Sequence, residues 1–303
     1  MKLSIVTSLH RSEGHFEEFY RRIRDAAERL TPDVEFIVVN DGSPDASLAM
    51  CLRLLQSDHR LTVVDLSRQF GQHEALLTGL SLATGDRVFL VDCDLEEPPE
   101  ALLEFWRLLD AQPLTDVVYG HQEKRRRGLF EGIAARAYYA ILALTLPVPV
   151  TPNTLLARLM TRRYTEALVA MRHATSNLDV LAAWVGFQQV GVAMTKARLR
   201  PSKYTLADRL RLAAEGILGG RRLLWASAFL GTGVVLAAGS ASVGVSLAIA
   251  PLASVEPRLL AAALGGASGL ALVAAGISLL AHEQMLQKLR NCGSIIRRIH
   301  RRT

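Results

Sequence analysis

The sequence predicts an α/β domain on a mostly parallel, doubly wound sheet, followed by a C-terminal pair of membrane-spanning helices. Three observations predict it. Short apolar runs alternate with helical patterns as far as Tyr119. Acidic turn sequences follow two of those runs. Two long stretches near the C-terminus carry no charge at all.

The first run, Leu3-Ser4-Ile5-Val6, reads as a buried strand. Phe16 to Leu30 follows with Phe19, Ile23, Ala27 and Leu30 at helical spacing. Phe36-Ile37-Val38-Val39 is β-branched and ends in Asn40-Asp41-Gly42-Ser43-Pro44-Asp45. That turn chemistry leads into a helix, with Ser43 as candidate N-cap and Pro44 at its first position. Leu61 to Leu66 is a third strand and Ala75 to Ala83 a helix stopped by Gly85. Val88-Phe89-Leu90-Val91 is the next strand and ends in Asp92-Cys93-Asp94. Pro98 and Pro99 open a helix through Leu109, and Val117-Val118-Tyr119 is a further strand. Strands alternating with helices argue for parallel pairing, and ligands in such sheets bind at the carboxyl ends of strands. Asp41 and Asp92 to Asp94 lie at two of those ends, where they make one shared site or serve as ordinary polar loops.

Two segments combine apolar helical pattern with arginine. Leu129 to Leu146 follows Arg125, Arg126 and Arg127, and Leu206 to Leu218 carries Arg209 and Arg211 with Arg221 and Arg222 beyond it. Both suit helices lying in a membrane interface, or core helices. No Asp, Glu, Lys, Arg or His occurs from Leu223 to Val255, nor again from Leu259 to Ala281. A helix of about 20 apolar residues crosses the hydrocarbon core, so both stretches are long enough. Gly265 and Gly269 give the second a small-xxx-small face for close packing. Arg221 and Arg222 precede the first stretch, and Lys288, Arg290, Arg297, Arg298, Arg301 and Arg302 follow the second. Basic outer ends place both termini of the hairpin in the cytoplasm. The expected organisation is therefore a cytoplasmic domain over 1–205, including an interface helix at about 129–146. A juxtamembrane amphipathic helix over 206–222, two spans over 223–281 and a basic cytoplasmic tail over 282–303 complete it.

Half of the 303 residues are hydrophobic, and the net charge is +6. The positive charge clusters beside apolar segments, which favours a membrane surface and phosphate over nucleic acid. The three cysteines, Cys51, Cys93 and Cys292, are too scattered for a disulfide framework or a zinc site. The N-terminal apolar run is too short for a signal peptide, so the bulk of the chain is not expected to be secreted. Cys93 reads as a small filler, turned by strand alternation away from Asp92 and Asp94.

Two carboxylates at i and i+2 on a strand-end turn can share one divalent cation. Hard Mg²⁺ or Mn²⁺ takes oxygen ligands and leaves positions open for a diphosphate. An isolated Asp-x-Asp is weak evidence, and its surroundings strengthen it. Ser67-Arg68-Gln69-Phe70-Gly71-Gln72-His73-Glu74-Ala75, Thr84-Gly85-Asp86, and Asp92-Cys93-Asp94-Leu95-Glu96-Glu97-Pro98-Pro99-Glu100 occur in order after the Asp41 turn. Asp116 to Gly120, Trp184-Val185-Gly186-Phe187 and Arg200-Pro201-Ser202-Lys203-Tyr204 follow. Over nearly its whole length the chain resembles the family-2 glycosyltransferases that charge polyprenyl phosphate, of the dolichol-phosphate mannose synthase and bacterial O-antigen glucosylation types.

The resemblance implies a GT-A (Rossmann-like) fold, a UDP- or GDP-linked sugar donor and inversion at the anomeric carbon. It puts Asp41 at the nucleobase, Asp92 and Asp94 on the metal and diphosphate, and Glu96 beside them, with Asp94 and Glu96 nearest the chemistry. Arg200 and Lys203 would bind the phosphates, and Glu13 and Arg68 belong to the donor side. His73 lies in one of the shared motifs, and His10 is a second candidate near the donor. The acceptor implied is undecaprenyl phosphate, met at the cytoplasmic face of the inner membrane among its lipids, with no nucleic acid partner. A homo-oligomer is left open.

Three departures stand out. Ser8-Leu9-His10-Arg11-Ser12-Glu13 replaces the family's Pro-x-Tyr-Asn-Glu, so only Glu13 matches. Glu96 replaces a common Gln. Leu155-Leu156-Ala157-Arg158-Leu159-Met160 aligns with Gly-Asp-Phe-Arg-Leu, which puts Leu156 where the family has an acid proposed as base. A hydroxyl acceptor benefits from a general base. A phosphate monoester, with a second pKa of about 6, is already an anion at neutral pH and does not need one. Leu156 therefore agrees with polyprenyl phosphate as acceptor. It agrees equally with a changed donor or with lost activity. Another lipid-linked glycan acceptor and an inactive membrane-bound homologue are the alternative readings of function.

Overall fold

Alternation between the two faces of one sheet explains most of the fold. A computed structural model describes residues 1–122, 153–173, 177–195, 232–233 and 296–302. Along the first strand, β1 (Leu3–Leu9), Ile5 packs to one side and Val6 to the other. β2 (Val34–Asn40) repeats this with Phe36 and Val38 against Ile37 and Val39. β3 (Leu61–Leu66) and β4 (Arg87–Leu90) do the same. Strands apolar on both faces must be covered on both faces, as in parallel sheets. One layer is α1 (Phe16–Glu28), α2 (Ser47–Ser57) and α4 (Ala101–Ala111). The other is α3 (Gln72–Leu82), α5 (Arg162–Ala170) and α6 (Leu178–Val185).

β5 (Val117–His121), β6 (Thr154–Thr161), β7 (Gln189–Ala193) and β8 (Ile296–Arg301) complete an eight-stranded sheet in the order β7-β5-β6-β4-β1-β2-β3-β8. The central run β4-β1-β2-β3 is parallel, as is β5 with β7. β6 runs antiparallel to both β4 and β5, and β8 antiparallel to β3. The chain moves outward from β1 to β2 and β3, then returns to the other side of β1 as β4. That reversal opens a crevice at the carboxyl ends of β1 and β4.

Two local expectations are corrected. The helix after β2 begins at Ser47, and Ser43 does not cap it. Ser43 Oγ instead donates to Asp45 Oδ1 at 2.5 Å and accepts from the Arg11 amide. The segment expected as a basic tail contains a strand, β8, whose residues pair with Thr62 to Leu66.

All the strands belong to one compact unit, Met1–Gly216 with Ser294–Thr303; Ile217–Gly293 is a second. The helices expected over 129–146 and 206–222 lie outside the described residues. So do the spans over 223–281, apart from residues 232 and 233. Among the described residues no helix is long and apolar enough to cross a membrane.

Candidate active site

Two strand-end segments meet at the start of α3, and one more packs beside the first of them. The first is the end of β2. Asn40 donates to Asp65 Oδ1 at 2.8 Å and accepts from the Ser43 amide, which fixes the turn out of the strand. Asp41 is buried, and its carboxylate accepts from the Phe70 amide at 2.7 Å and the Gly71 amide at 3.0 Å. Asp41 thus shapes the loop between β3 and α3, where Arg68 is exposed and stacks its guanidinium 4.0 Å from the Phe70 ring centroid. Gly42 makes this closeness feasible. Its φ is +56°, and a Cβ there would stand 2.5 Å from the Gln69 amide nitrogen.

The second segment is the loop after β1. His10 Nδ1 lies 3.2 Å from the Asp41 carbonyl. Glu13 is exposed, and its Oε2 accepts from the Ala46 amide just before α2. Asp45 gathers this region. Burial pushes its carboxyl up, but hydrogen bonds from Ser43, Ser47 and the Glu13 amide outweigh burial and hold it at about 2.

The third segment is the acidic loop after β4. Gln72, the residue next to Gly71, donates to Asp92 Oδ2 at 2.7 Å. Gly71 and Gln72 therefore tie the Asp41 and Asp92 strand ends together through the first turn of α3. Cys93 is buried in the core with its sulfur 3.2 Å from the Ser8 carbonyl, facing away from its acidic neighbours as alternation requires. Asp94 Oδ1 accepts from the Glu96 amide at 2.9 Å and so closes a tight turn. Within it Leu95 has φ 63°, a left-handed conformation that costs a non-glycine residue about 1 kcal/mol or more. The turn sends the next side chain inward. Glu97 is 2% exposed, and its two oxygens accept from the Leu156 amide at 3.1 Å and the Ala157 amide at 2.7 Å.

A cavity of about 170 Å³ lies between the start of α3, the acidic loop after β4 and the start of β6. Asp92, Glu97, Gln72, Gln122, Thr154 and Leu156 are among its lining residues, with Asn153 and Leu155 beside them. Of the acids expected at the site, Asp92 lines this cavity, while Asp94 and Glu96 are not among its lining residues and form the turn that follows Asp92. Asp41, Arg68 and Glu13 belong to the adjoining loops, and His73 Nδ1 accepts from the Leu178 amide at the start of α6. Arg200 and Lys203 lie outside the described residues. Sequence reasoning missed Glu97, which sits in a run of two glutamates with no local cue to which one turns inward. It also missed the amide side chains on the cavity wall.

Among the described residues no group of three or more His, Cys, Asp or Glu stands together as a ready-made metal site. The donor chemistry nevertheless fits Mg²⁺ or Mn²⁺. A carboxylate, amide oxygens and a hydroxyl are hard oxygen ligands, and such ions commonly complete their shell with a substrate's phosphates.

Comparison with known proteins agrees with this architecture. Residues 4–169 match the model of Glycosyl transferase family 2. A Mycobacterium tuberculosis (strain CDC 1551 / Oshkosh) protein, named for glycosyltransferases, is 42% identical over 219 residues. That match covers 72% of this chain and 63% of the relative, so the chain spans under two thirds of that protein's length. The prophage bactoprenol glucosyl transferase homolog of Escherichia coli (strain K12) is 30% identical over 223 residues, 72% of this chain and 71% of its own. Among solved structures, mannosyl-3-phosphoglycerate synthase from Rubrobacter xylanophilus superposes with a TM-score of 0.50 over 74% of each chain. At 16% identity that likeness concerns the fold alone. The domain is an α/β fold with acidic residues after the carboxyl end of β4. This chain belongs to glycosyltransferase family 2.

Proposed function

We propose that the chain transfers a sugar from a UDP- or GDP-linked donor to polyprenyl phosphate, undecaprenyl phosphate in a bacterium, with inversion at the anomeric carbon. The observation that carries this reading is the Asp92-lined cavity between the loop after β4 and the start of β6 in a family-2 chain. A relative named as a bactoprenol glucosyl transferase homolog supports the acceptor. Leu156 is compatible with it. An acceptor phosphate is already an anion near neutral pH, so the β6 wall needs no side-chain base.

Asp92 and Asp94 would hold a Mg²⁺ or Mn²⁺ ion, which would supply charge neutralisation for the departing nucleoside diphosphate. Asp41 sets the loop that carries Arg68 to the donor. Gln72 orients Asp92. Arg200 and Lys203 are assigned the phosphates. The spans over 223–281 would anchor the domain to the cytoplasmic face of the inner membrane, where a water-soluble donor meets a lipid-bound acceptor. The product would serve cell-envelope glycan synthesis or modification.

The test is a screen of radiolabelled nucleotide sugars against membranes carrying the chain, with added undecaprenyl phosphate. Lipid-extractable label that disappears in Asp92→Ala and Asp94→Ala proteins is the expected result. Product formed only on a lipid-linked glycan would replace the acceptor, and nucleotide binding without turnover on any acceptor would overturn the enzymatic reading.

A further inference from the structure

Consecutive amides of a regular strand point toward opposite neighbours. At the start of β6 they do not, since Leu156 and Ala157 both donate to the one carboxylate of Glu97. The local ladder allows this. β4 reaches along β6 only to the Leu90–Arg158 pair, and the β5–β6 register shifts between Tyr119 and His121. Residues 155–157 therefore lie beyond regular pairing on one side and at an irregularity on the other. Buried amides in that position need an acceptor. Glu97 supplies it from the acidic loop, through the left-handed turn at Leu95.

The carbonyls of the same stretch are held from another direction. Arg158 is 3% exposed and donates to the Leu155 carbonyl at 3.3 Å, the Leu156 carbonyl at 3.2 Å and Asp179 Oδ1 at 3.1 Å. One buried anion thus grips the amides and one buried cation the carbonyls of the segment that faces Asp92 across the cavity. Charge-assisted bonds of this kind are the stronger and more directional ones.

We propose that Glu97 is a positioning residue for sugar transfer. It fixes the Leu156–Ala157 peptide against the acidic loop and so sets where the acceptor-side wall stands relative to Asp92. Each of its oxygens accepts a backbone hydrogen bond, the geometry of a group that holds the wall. This rests on the functional reading above, and its role is exerted through Leu156, with no side chain of β6 taking part in the chemistry.

The experiment compares the full chain in lipid with its Glu97→Gln and Glu97→Asp variants, by steady-state kinetics and by amide hydrogen exchange over residues 154–160. For Glu97→Gln we expect kcat to fall at least 10-fold with the donor KM within two-fold, and exchange at Leu156 and Ala157 to quicken at least 10-fold. Glu97→Asp, which keeps both oxygens, is expected to recover part of the kcat and part of the protection. Should Glu97→Gln not fold, Glu97→Asp carries the test, and a kcat equal to wild type overturns the proposal. An active wild-type enzyme whose Glu97→Gln variant keeps full kcat overturns the positioning role alone. Wild-type chain that makes no lipid-linked sugar overturns the functional reading instead, and unchanged exchange in the variant would then show that Glu97 does not hold the peptide.

Discussion

Gln72 Nε2 donates to Asp92 Oδ2 across 2.7 Å, joining the first turn of α3 to the end of β4. An acid that binds metal and diphosphate works best when a neighbour fixes its orientation. Replacing Asp92 by Ala should lower turnover by about 100-fold or more, in line with the loss of a principal electrostatic group. Gln72→Ala should cost about 10-fold, as loss of an orienting partner does. Lipid-linked product per minute at saturating donor distinguishes the two, and equal losses would place Gln72 in direct contact with substrate.

Asp41 holds two buried-side amides, so its removal acts through the loop. Asp41→Ala leaves the Phe70 and Gly71 N–H groups without their acceptor. Each such loss costs about 1–3 kcal/mol. Urea unfolding should show that loss, and the KM for the nucleotide sugar should rise several-fold as Arg68 loses its seat. Asp41→Asn keeps one acceptor oxygen and should fall between wild type and Asp41→Ala in both measurements.

Gly42 is expected to tolerate no side chain. An added Cβ would meet the Gln69 nitrogen at 2.5 Å and the Arg68 carbonyl carbon at 2.7 Å, both backbone atoms that cannot swing aside. The left-handed φ alone costs an L-residue about 1–2 kcal/mol. Gly42→Ala should therefore lower the unfolding midpoint and weaken nucleotide binding together, which calorimetric titration with UDP and GDP can follow.

Asp45 gives a defined acid dependence. Its folded carboxyl, at about 2, lies below its ordinary value of 3.8. A carboxyl lowered by folding stabilises the native state above its ordinary value, and that contribution disappears as pH falls from about 4 toward about 2. Wild-type stability to urea should drop across this window more steeply than that of Asp45→Asn, which has no proton to bind. Ser47→Ala removes one of the hydrogen bonds to Asp45 and should move the drop to higher pH.

β1 to β4 could be read from sequence because both faces of each are buried, which leaves uninterrupted β-branched runs such as Phe36 to Val39. β6 was not legible as a strand because a buried arginine, Arg158, interrupts its apolar pattern. β8 was not because Arg297, Arg298 and Arg301 are exposed along an outer strand. Ser43-Pro44 resembles a helix start, yet Asp45 organises that turn and the helix waits until Ser47. Within the site, Asp92 was legible because an acid directly after a buried strand must face the strand ends. Glu97 was not, since its direction depends on a left-handed Leu95 that no local pattern announces.

β8 lies on β3, and Arg297 reaches the Ser67 carbonyl from 230 positions further along the chain. At a synthesis rate of roughly 5–20 residues per second, β3 emerges from the ribosome roughly 10–50 s before its partner exists. For that interval its outer backbone groups are open to pairing with any other nascent strand. Sluggish translation or premature termination between these two points should therefore show up as misassembly of newborn chains, long before any effect on a finished molecule.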